Sequence, residues 1–296
     1  MVDRIPPQRR ASPEPTEEAP SVARERPTPT PGTMDWGMAD RMGRLFPGGR
    51  SVMLAVDHGY FLGPLRKLEV PRATITPLLP FADALALTRG VLRTSVPPGS
   101  GKPMILRVSG GASVLKEDLS DETLATGIED AVRLNAAAVA MSVFVGAPHE
   151  HQSIANLARL VDEAEPRGIP VLGITAVGKE LEKRDARYLA LACRICAEFG
   201  ARMVKTYFCD GFAKVVEACP VPIVVAGGPK LDTEEDVFRL VEGALEAGAA
   251  GVDMGRNIWQ NEAPVAMLKA VRSIVHEGRN AKEAAQLYQE LRAGRA

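Results

Sequence analysis

Eight short apolar runs recur from residue 51 onward, and each ends in a glycine or a polar residue. The runs are rich in Val, Ile, Leu and Ala and do not alternate strictly between apolar and polar positions. Strands covered on both faces in a parallel sheet have this composition, whereas strands with one face in water alternate. The runs are SVMLAVDHG, ADALALTRG, PMILRVSGG, AAVAMSVFVG, PVLGITAVG, RMVKTYFC, PIVVAGGP and GVDMGRN.

Amphipathic stretches with helical spacing separate these runs, and several of them end in glycine, as helices often do. Eight strand and helix units in about 230 residues predict an α/β fold, a closed (β/α)8 TIM barrel with eight parallel strands. A doubly wound sheet is disfavoured because the turn after the first run, DHGYFLGP, lacks G-x-G-x-x-G. The predicted helices include DETLATGIEDAVRLN, HQSIANLARLVDEA, ARYLALACRICAEFG, EEDVFRLVEGALEAG and APVAMLKAVRSIVHEG.

The amino-terminal part of the chain has a different composition. Residues 1–33 are dominated by Pro, Glu, Arg, Ser and Thr, and such a segment buries too little apolar surface to offset the entropy of ordering. We therefore predict a disordered Pro-rich tail over 1–33 and a barrel domain over 34–296. The segment WGMADRMGRLF is predicted to cover one end of the barrel with Trp36, Met38, Met42, Leu45 and Phe46.

Charge and cysteine content exclude several classes of function. With 36 Lys plus Arg against 37 Asp plus Glu, the chain has no long-range field for nucleic acid. No apolar run reaches the roughly 18 residues that a membrane span needs. Four cysteines do not suggest a disulfide framework, so a cytoplasmic protein is predicted. Cys193 and Cys196 form a C-x-x-C inside a helical run, and packing in the core is favoured there over metal or redox chemistry.

Lys205 is the first candidate catalytic residue, because the run RMVKTYFC places an ammonium in the middle of an apolar strand. Desolvation lowers the pKa of a lysine and frees its lone pair for attack on a ketone. The alternatives are a lysine that extends to the barrel rim and one that forms a structural pair with Asp57. Strand position alone does not separate these readings.

Asp57 and His58 lie near the end of the first run, at the barrel end where catalytic groups of this fold lie. Asp57 is a candidate for moving protons at the substrate, with a structural carboxylate as the alternative. His58 is a second candidate acid or base, and a hydrogen-bonded loop histidine is its alternative. His149 and His151 form an H-x-H without a nearby third ligand, so no metal is predicted.

The last two runs carry the predicted phosphate site. Gly227 and Gly228 end the seventh run, and Gly255 followed by Arg256 ends the eighth. In (β/α)8 enzymes the loops after these two strands frequently bind phosphate, and an arginine adds a charge-assisted hydrogen bond. Ordinary turn glycines with a surface arginine are the alternative.

Together these segments resemble the DhnA-type class I aldolases, to which archaeal fructose-bisphosphate aldolases and aminodideoxyheptulosonate synthases belong. The resemblance extends from about residue 34 to the carboxyl terminus and is greatest to a thiolase branch of that family. The matching segments are DWGMADRMGRLF, VMLAVDHGYFLGP, TRGVLRTSVPP, AVRLNAAAVA, EHQSIANL, KTYF, CPVPIVVAGGPK and GVDMGRNIWQ.

The resemblance implies a role for each candidate residue. Lys205 falls on the family's Schiff-base lysine and Asp57 on its first-strand acidic residue. Gly227, Gly228, Gly255 and Arg256 fall on its phosphate-binding ends. The thiolase branch implies a phosphorylated dione from autoinducer degradation as substrate and coenzyme A as co-substrate, with no bound cofactor. It also implies acetyl-CoA and dihydroxyacetone phosphate as products and a ring-shaped homo-oligomer, a decamer or similar.

One departure separates the chain from the aldolase branch, whose members carry a tyrosine in a Y-P-R-G turn after the fifth strand. This chain reads ITAVGK there. Aldol cleavage removes a proton from a hydroxyl, whereas thiolate attack on a carbonyl does not, so a thiolase does not need the phenol. A class I aldolase acting on a phosphorylated ketose such as fructose 1,6-bisphosphate stays the first alternative. A noncatalytic phosphosugar-binding barrel is the second.

Overall fold

Eight parallel strands form a closed barrel in the computed structural model of the chain, which describes residues 34–176 and 185–294. Each predicted apolar run contains one strand of the barrel, and β1 pairs with β8 to close the barrel at Ser51 and Gly251. The predicted TIM barrel is confirmed. The strands are β1 (Ser51–Ala55), β2 (Ala84–Thr88), β3 (Met104–Arg107), β4 (Ala138–Val143), β5 (Val171–Thr175), β6 (Met203–Tyr207), β7 (Ile223–Ala226) and β8 (Gly251–Met254).

Helices follow the strands and surround the barrel. The described residues contain α1 (Trp36–Leu45), α2 (Gly59–Leu62), α3 (Pro71–Leu78), α4 (Arg89–Ser95), α5 (Ile128–Arg133), α6 (Glu150–Ala164), α7 (Ala186–Glu198), α8 (Phe212–Ala218), α9 (Glu234–Glu246), α10 (Arg256–Trp259), α11 (Pro264–Glu277) and α12 (Ala281–Arg292). Single turns of 3-10 helix occur at Pro47–Gly49, Leu79–Phe81 and Glu165–Arg167. The predicted tail over 1–33 lies outside the described residues.

One predicted helix is wrong in its first half. The stretch DETLATGIEDAVRLN is helical only over Ile128–Arg133, although its spacing predicts a helix throughout. Thr123–Leu124 instead pairs antiparallel with Ser109–Gly110 in a small hairpin after β3. Glu122 is buried beside this hairpin, so the local structure follows a tertiary contact rather than the helical propensity of the segment.

The strands separate two apolar layers because successive side chains point to opposite faces. On β1, Val52 and Leu54 pack outward against the helices, while Met53 and Ala55 face the barrel interior. Small side chains occupy many of the interior positions. Interior alanines are Ala55, Ala84, Ala86, Ala138 and Ala140.

Helix α1 packs against the interior layer at the amino end of the barrel, as predicted for this segment. Met42, Leu45 and Phe46 are buried in the same cluster as Met53 of β1. Asp35 caps the helix by accepting a hydrogen bond from the backbone N–H of Met38. The prediction is wrong for Trp36, whose side chain is 83% exposed because it projects from the opposite side of the helix.

Cys193 and Cys196 are buried in α7, as predicted for core cysteines. A Cβ atom at Gly173 of β5 would come within 3.0 Å of the Cys196 sulfur, so the absence of a side chain there lets the helix approach the strand. Burial raises the pKa of the Cys193 thiol to about 12.

Across residues 34–176 and 185–294 no helix is both long and apolar enough to cross a bilayer.

Candidate active site

A cavity opens at the carboxyl ends of the strands, the end of a (β/α)8 barrel where catalytic groups are found. It has a volume of about 880 Å³ with the solvent at its mouth included. All seven residues predicted from the sequence as site residues line this cavity. They are Asp57, His58, Lys205, Gly227, Gly228, Gly255 and Arg256.

Lys205 reaches the cavity from the middle of β6, and its amine meets a carboxylate that sequence reasoning does not select. Its Nζ lies 2.7 Å from Oδ2 of Asp253, which projects inward from β8. The side chain of Asp253 is 0% exposed and that of Lys205 is 11% exposed. Burial raises the pKa of Asp253, and the attraction of Lys205 offsets that shift only in part.

Asp57 lies just beyond the end of β1 among positive charges. Its Oδ2 is 3.6 Å from Nη1 of Arg107, and its Oδ1 is 3.7 Å from Nδ1 of His58. Burial alone would raise the pKa of the Asp57 carboxyl, but the charges of His58, Lys205 and Arg107 outweigh it and lower the pKa. Asp57 is therefore a carboxylate at neutral pH, able to accept a proton only from a donor that becomes strongly acidic during reaction.

His58 is buried against an aromatic ring. Its imidazole makes an edge-to-face contact with Trp259 of α10, with ring centroids 5.6 Å apart. The indole of Trp259 in turn donates to the carbonyl of Ala55 at 3.0 Å. Burial lowers the pKa of His58 to about 4, in opposition to Asp57, so the ring is neutral at pH 7. A neutral imidazole can donate or accept one hydrogen bond in the cavity.

Arg107 organises the wall of the cavity opposite the glycines. Its Nη2 lies 3.0 Å from both oxygens of Glu122 and 2.5 Å from the hydroxyl oxygens of Tyr60 and Ser142, all within hydrogen-bonding distance. Burial acts to lower the pKa of Arg107, and Tyr60 and Glu122 more than reverse that effect. The result is a charged, hydrogen-bonded network whose buried guanidinium lies next to Asp57.

The predicted phosphate-binding segments adjoin one another at the ends of β7 and β8. Gly228 has a φ of +66°, a conformation that favours glycine. A Cβ atom at Gly255 would lie 2.5 Å from Cε1 of His58 and 2.7 Å from the carbonyl oxygen of Ala55. Asn257 joins the two segments, since its Nδ2 donates to the carbonyl of Gly227 at 2.7 Å. The absence of side chains at Gly227 and Gly255 thus lets the ends of these strands pack closely against Asn257 and His58.

Comparison with known proteins places the chain in a family. A family model described as "DeoC/LacD family aldolase" matches residues 51–261. The chain belongs to this family. The predictions that the chain is related to the class I aldolases and that it is an enzyme are therefore confirmed.

Curated relatives within the DeoC/LacD family share about half of their residues with this chain. The "3-hydroxy-5-phosphonooxypentane-2,4-dione thiolase" of Enterobacter sp. (strain 638) is 53% identical over 266 residues, which is 89% of each chain. The protein of that name in Klebsiella pneumoniae subsp. pneumoniae is 54% identical over the same share. The predicted likeness to the thiolase branch is confirmed.

A solved structure of an archaeal fructose-1,6-bisphosphate aldolase is similar at 29% identity and a TM-score of 0.74. The match covers 80% of this chain and 99% of that one. In that structure the catalytic lysine is covalently bound to the carbinolamine intermediate of its substrate.

Sequence reasoning missed the acidic residues that complete the cavity. Asp253 and Glu122 are both buried there, and their basic partners, Lys205 and Arg107, belong to other segments of the chain. One signal was available for Asp253, since a carboxylate inside the apolar run GVDM needs a charged partner once buried. His149, by contrast, pairs with Asp118 at 2.9 Å outside the cavity lining, and no group of three metal-binding side chains occurs within the described ranges.

Proposed function

We propose that the chain is a Schiff-base thiolase that transfers an acetyl group from 3-hydroxy-5-phosphonooxypentane-2,4-dione to coenzyme A. The observation that carries the proposal is the position of the Lys205 amine, buried in a barrel mouth that also holds a glycine-lined end and Arg256. The thiolase relatives, which are 53% and 54% identical, support this choice of substrate.

Reaction begins at Lys205 in this proposal. The amine condenses with the ketone beside the phosphate-bearing carbon, and water leaves to give a protonated imine. The imine carries a positive charge next to the bond that must break, so it accepts the electron pair released on cleavage. Lys205→Met removes the amine and should abolish turnover.

Coenzyme A enters as the second substrate. Its thiolate attacks the acetyl carbonyl, and the bond between that carbonyl carbon and the hydroxyl-bearing carbon breaks. Acetyl-CoA leaves, and the electron pair passes to the imine to form an enamine of dihydroxyacetone phosphate. Protonation of the enamine carbon and hydrolysis of the resulting imine release dihydroxyacetone phosphate and restore the lysine.

The remaining predicted site residues are assigned around these steps. We propose that Gly227, Gly228 and Gly255 offer backbone N–H groups to the phosphate and that Arg256 supplies a charge-assisted hydrogen bond. A phosphate held in this way fixes which ketone meets Lys205. Orientation of this kind can lower a barrier by several kcal/mol.

Asp57 and His58 complete the assignment. We propose that Asp57 takes up the proton that the coenzyme A thiol loses on attack and returns it through a water molecule to the enamine carbon, since a carboxylate kept ionised by neighbouring cations can donate a proton only after it has accepted one. His58 is the second candidate for this transfer, because its imidazole is neutral and lines the same cavity. Comparing Asp57→Asn with His58→Asn for slowed release of dihydroxyacetone phosphate would distinguish the two.

A class I aldolase acting on fructose 1,6-bisphosphate is the competing proposal, and the likeness to the archaeal aldolase favours it. It would use the same lysine and phosphate site but cleave without a thiol. The segment that lacks the aldolase tyrosine reads ITAVGK, and its part within 177–184 lies outside the described residues.

The first experiment tests the Schiff base. The protein is mixed with dihydroxyacetone phosphate and borohydride, and its intact mass is measured for wild type, Lys205→Met and Lys214→Met. Lys214 is an exposed lysine on α8, so the last variant controls for surface modification. An adduct on wild type and Lys214→Met but not on Lys205→Met supports the proposal. Absence of an adduct on all three would leave a noncatalytic binding barrel.

The second experiment separates thiolase from aldolase. Release of dihydroxyacetone phosphate from the phosphorylated dione is followed with and without coenzyme A, and fructose 1,6-bisphosphate cleavage is measured in parallel. Product formation that requires coenzyme A supports the thiolase. Rapid cleavage of fructose 1,6-bisphosphate without a thiol would identify an aldolase instead.

The resemblance also extends the proposal to the cellular setting. We propose a cytoplasmic homo-oligomer, a decameric ring or similar, that takes part in degrading a phosphorylated autoinducer. Light scattering on the protein as it elutes from a size-exclusion column measures the oligomeric state directly. A monomer in that measurement would remove the ring from the proposal without affecting the chemistry.

A further inference from the structure

Asp253 and Lys205 form a buried ion pair that spans one strand of the barrel interior. Asp253 on β8 and Lys205 on β6 both project inward and are separated only by β7. The residues beside Asp253 on the neighbouring strands are Met53 and Ala226, neither of which has a side chain that can hydrogen-bond to a carboxylate. The Lys205 amine at 2.7 Å is thus the one charged group within ion-pair distance of this carboxylate among the described residues.

The second oxygen of Asp253 has no protein partner. Oδ1 is completely buried and makes no hydrogen bond to any described residue, and Oδ2, which is also buried, is held only by its ion pair with Lys205. Unsatisfied buried oxygens are rare, and a buried carboxylate without hydrogen-bond donors carries a desolvation cost that uptake of a proton relieves. The cavity lined by Asp253 is the one into which Lys205 projects.

Asp57, the other nearby carboxylate, is arranged differently. Its two oxygens lie 3.6 Å from Arg107 and 3.7 Å from His58, and no contact with Lys205 within 4.0 Å occurs in the described residues. Cations lower the pKa of Asp57, whereas burial raises that of Asp253. Of the two, Asp253 has the greater proton affinity and the shorter distance to the amine.

We propose that Asp253 is the acid–base partner of Lys205, accepting a proton from its ammonium before attack and returning it to the hydroxyl that leaves as water. This inference rests on the proposed Schiff-base function of Lys205. It assigns the proton transfers of imine formation to Asp253 and leaves the later protonation of the enamine to Asp57 or His58.

The protons and electron pairs balance in this sequence. Transfer of one proton from the ammonium to Asp253 gives a neutral amine, whose lone pair forms the bond to the ketone carbon while the carbonyl electrons move to oxygen. A proton passes from nitrogen to that oxygen to give the carbinolamine. Asp253 then protonates the hydroxyl, water leaves with the C–O electron pair, and the nitrogen lone pair forms the protonated imine.

The experiment measures how fast the adduct forms. Wild type, Asp253→Asn and Asp253→Ala are mixed with dihydroxyacetone phosphate in the presence of borohydride, and the trapped adduct is followed by intact mass over time. Asp210→Asn serves as the control, because this exposed carboxylate lies just after the strand that carries Lys205. Circular dichroism melting curves establish that each variant is folded.

We expect Asp253→Asn to form the adduct at least about 100-fold more slowly than wild type, the usual scale for loss of a positioned acid–base group. Added formate should accelerate Asp253→Ala by supplying a small carboxylic acid to the space vacated, a result that a purely structural role would not give. If the Asn variant does not fold, the Ala variant carries the test, since alanine already lines the same cavity at Ala55 and Ala226.

Two results would overturn the inference, and each has a different consequence for the proposed function. Adduct formation at the wild-type rate in a folded Asp253 variant would overturn the role of Asp253 alone. No adduct on wild type would overturn the Schiff-base function and this inference with it.

Discussion

Arg107 and Glu122 form a buried two-oxygen ion pair in the wall of the cavity, with both carboxylate oxygens 3.0 Å from Nη2 of the arginine. Their residues are 15 apart in the sequence, and the hairpin after β3 brings them together. The pair holds the guanidinium within 3.6 Å of Asp57, which connects the loop after β3 with the end of β1. Loss of either partner of this ion pair should therefore lower the stability of the protein.

Replacing Arg107 by methionine should be strongly destabilising. It would leave Glu122 buried without a cation, and breaking a buried pair from one side costs roughly 3–5 kcal/mol. The free energy of unfolding from urea titration measures this effect. Adding Glu122→Gln to Arg107→Met should recover part of the loss, because the uncompensated charge is then gone. Equal stability of the single and double variants would contradict this account.

The strands are predictable from sequence because burial on both faces imposes an apolar composition that is visible in each short segment. The carboxyl ends of the strands follow from the barrel topology, so the sequence is sufficient to place Lys205, Asp57 and the glycines at one mouth. The hairpin at Thr123–Leu124 is not predictable in this way, because its segment has helical spacing and its pairing depends on the chain after β3. Asp253 was missed for a related reason, since its partner is 48 positions away (253 − 205).

Protonation of His58 should destabilise the folded protein in mild acid. Its pKa is 6.5 when unperturbed and about 4 in the folded state. Between these values the unfolded chain binds a proton that the folded chain does not, so stability falls as the pH decreases from about 6.5 to 4. The full shift in the pKa of His58 corresponds to roughly 3 kcal/mol in the free energy of unfolding.

Urea titrations across this pH range measure the effect as a slope in the free energy of unfolding. His58→Asn should flatten the slope, because it removes the buried group that resists protonation. His151→Asn, at an exposed position on α6, should leave the slope as in wild type. A wild-type slope in the His58 variant would show that other groups account for the acid sensitivity.

Asp83 joins three elements at the amino end of the barrel, far from the cavity mouth. Its carboxylate accepts from the backbone of Val52 at 2.8 Å and lies 2.6 Å from both Arg272 and His276 of α11. Asp83→Asn should lower stability by about 2–3 kcal/mol, since hydrogen bonds to a charged group are among the stronger ones. Activity per folded molecule should be unchanged.

Asp40→Asn is the matched control for this change. Asp40 pairs with Arg44 on the exposed side of α1, and exposed pairs four residues apart contribute only about 0.3–0.5 kcal/mol. Thermal and urea unfolding of both variants compare the two sites. An equal loss at Asp40 and Asp83 would mean that the buried cluster does not hold the barrel end together.

Gly255→Ala should disrupt the site without requiring a new charge. The added Cβ would lie 2.5 Å from Cε1 of His58 and 2.7 Å from the carbonyl oxygen of Ala55, so either the imidazole or the strand must move. Because this glycine also adjoins the proposed phosphate contacts, we expect weaker binding of dihydroxyacetone phosphate together with lower stability. Gly43→Ala is the matched control, since it lies in α1 with nothing within 4 Å of its added methyl. That change should raise the free energy of unfolding by about 0.5–1 kcal/mol, because alanine has the higher helix propensity. If Gly255→Ala lowers the free energy of unfolding while Gly43→Ala raises it, the loss at Gly255 comes from its close contacts and not from the replacement of a glycine as such.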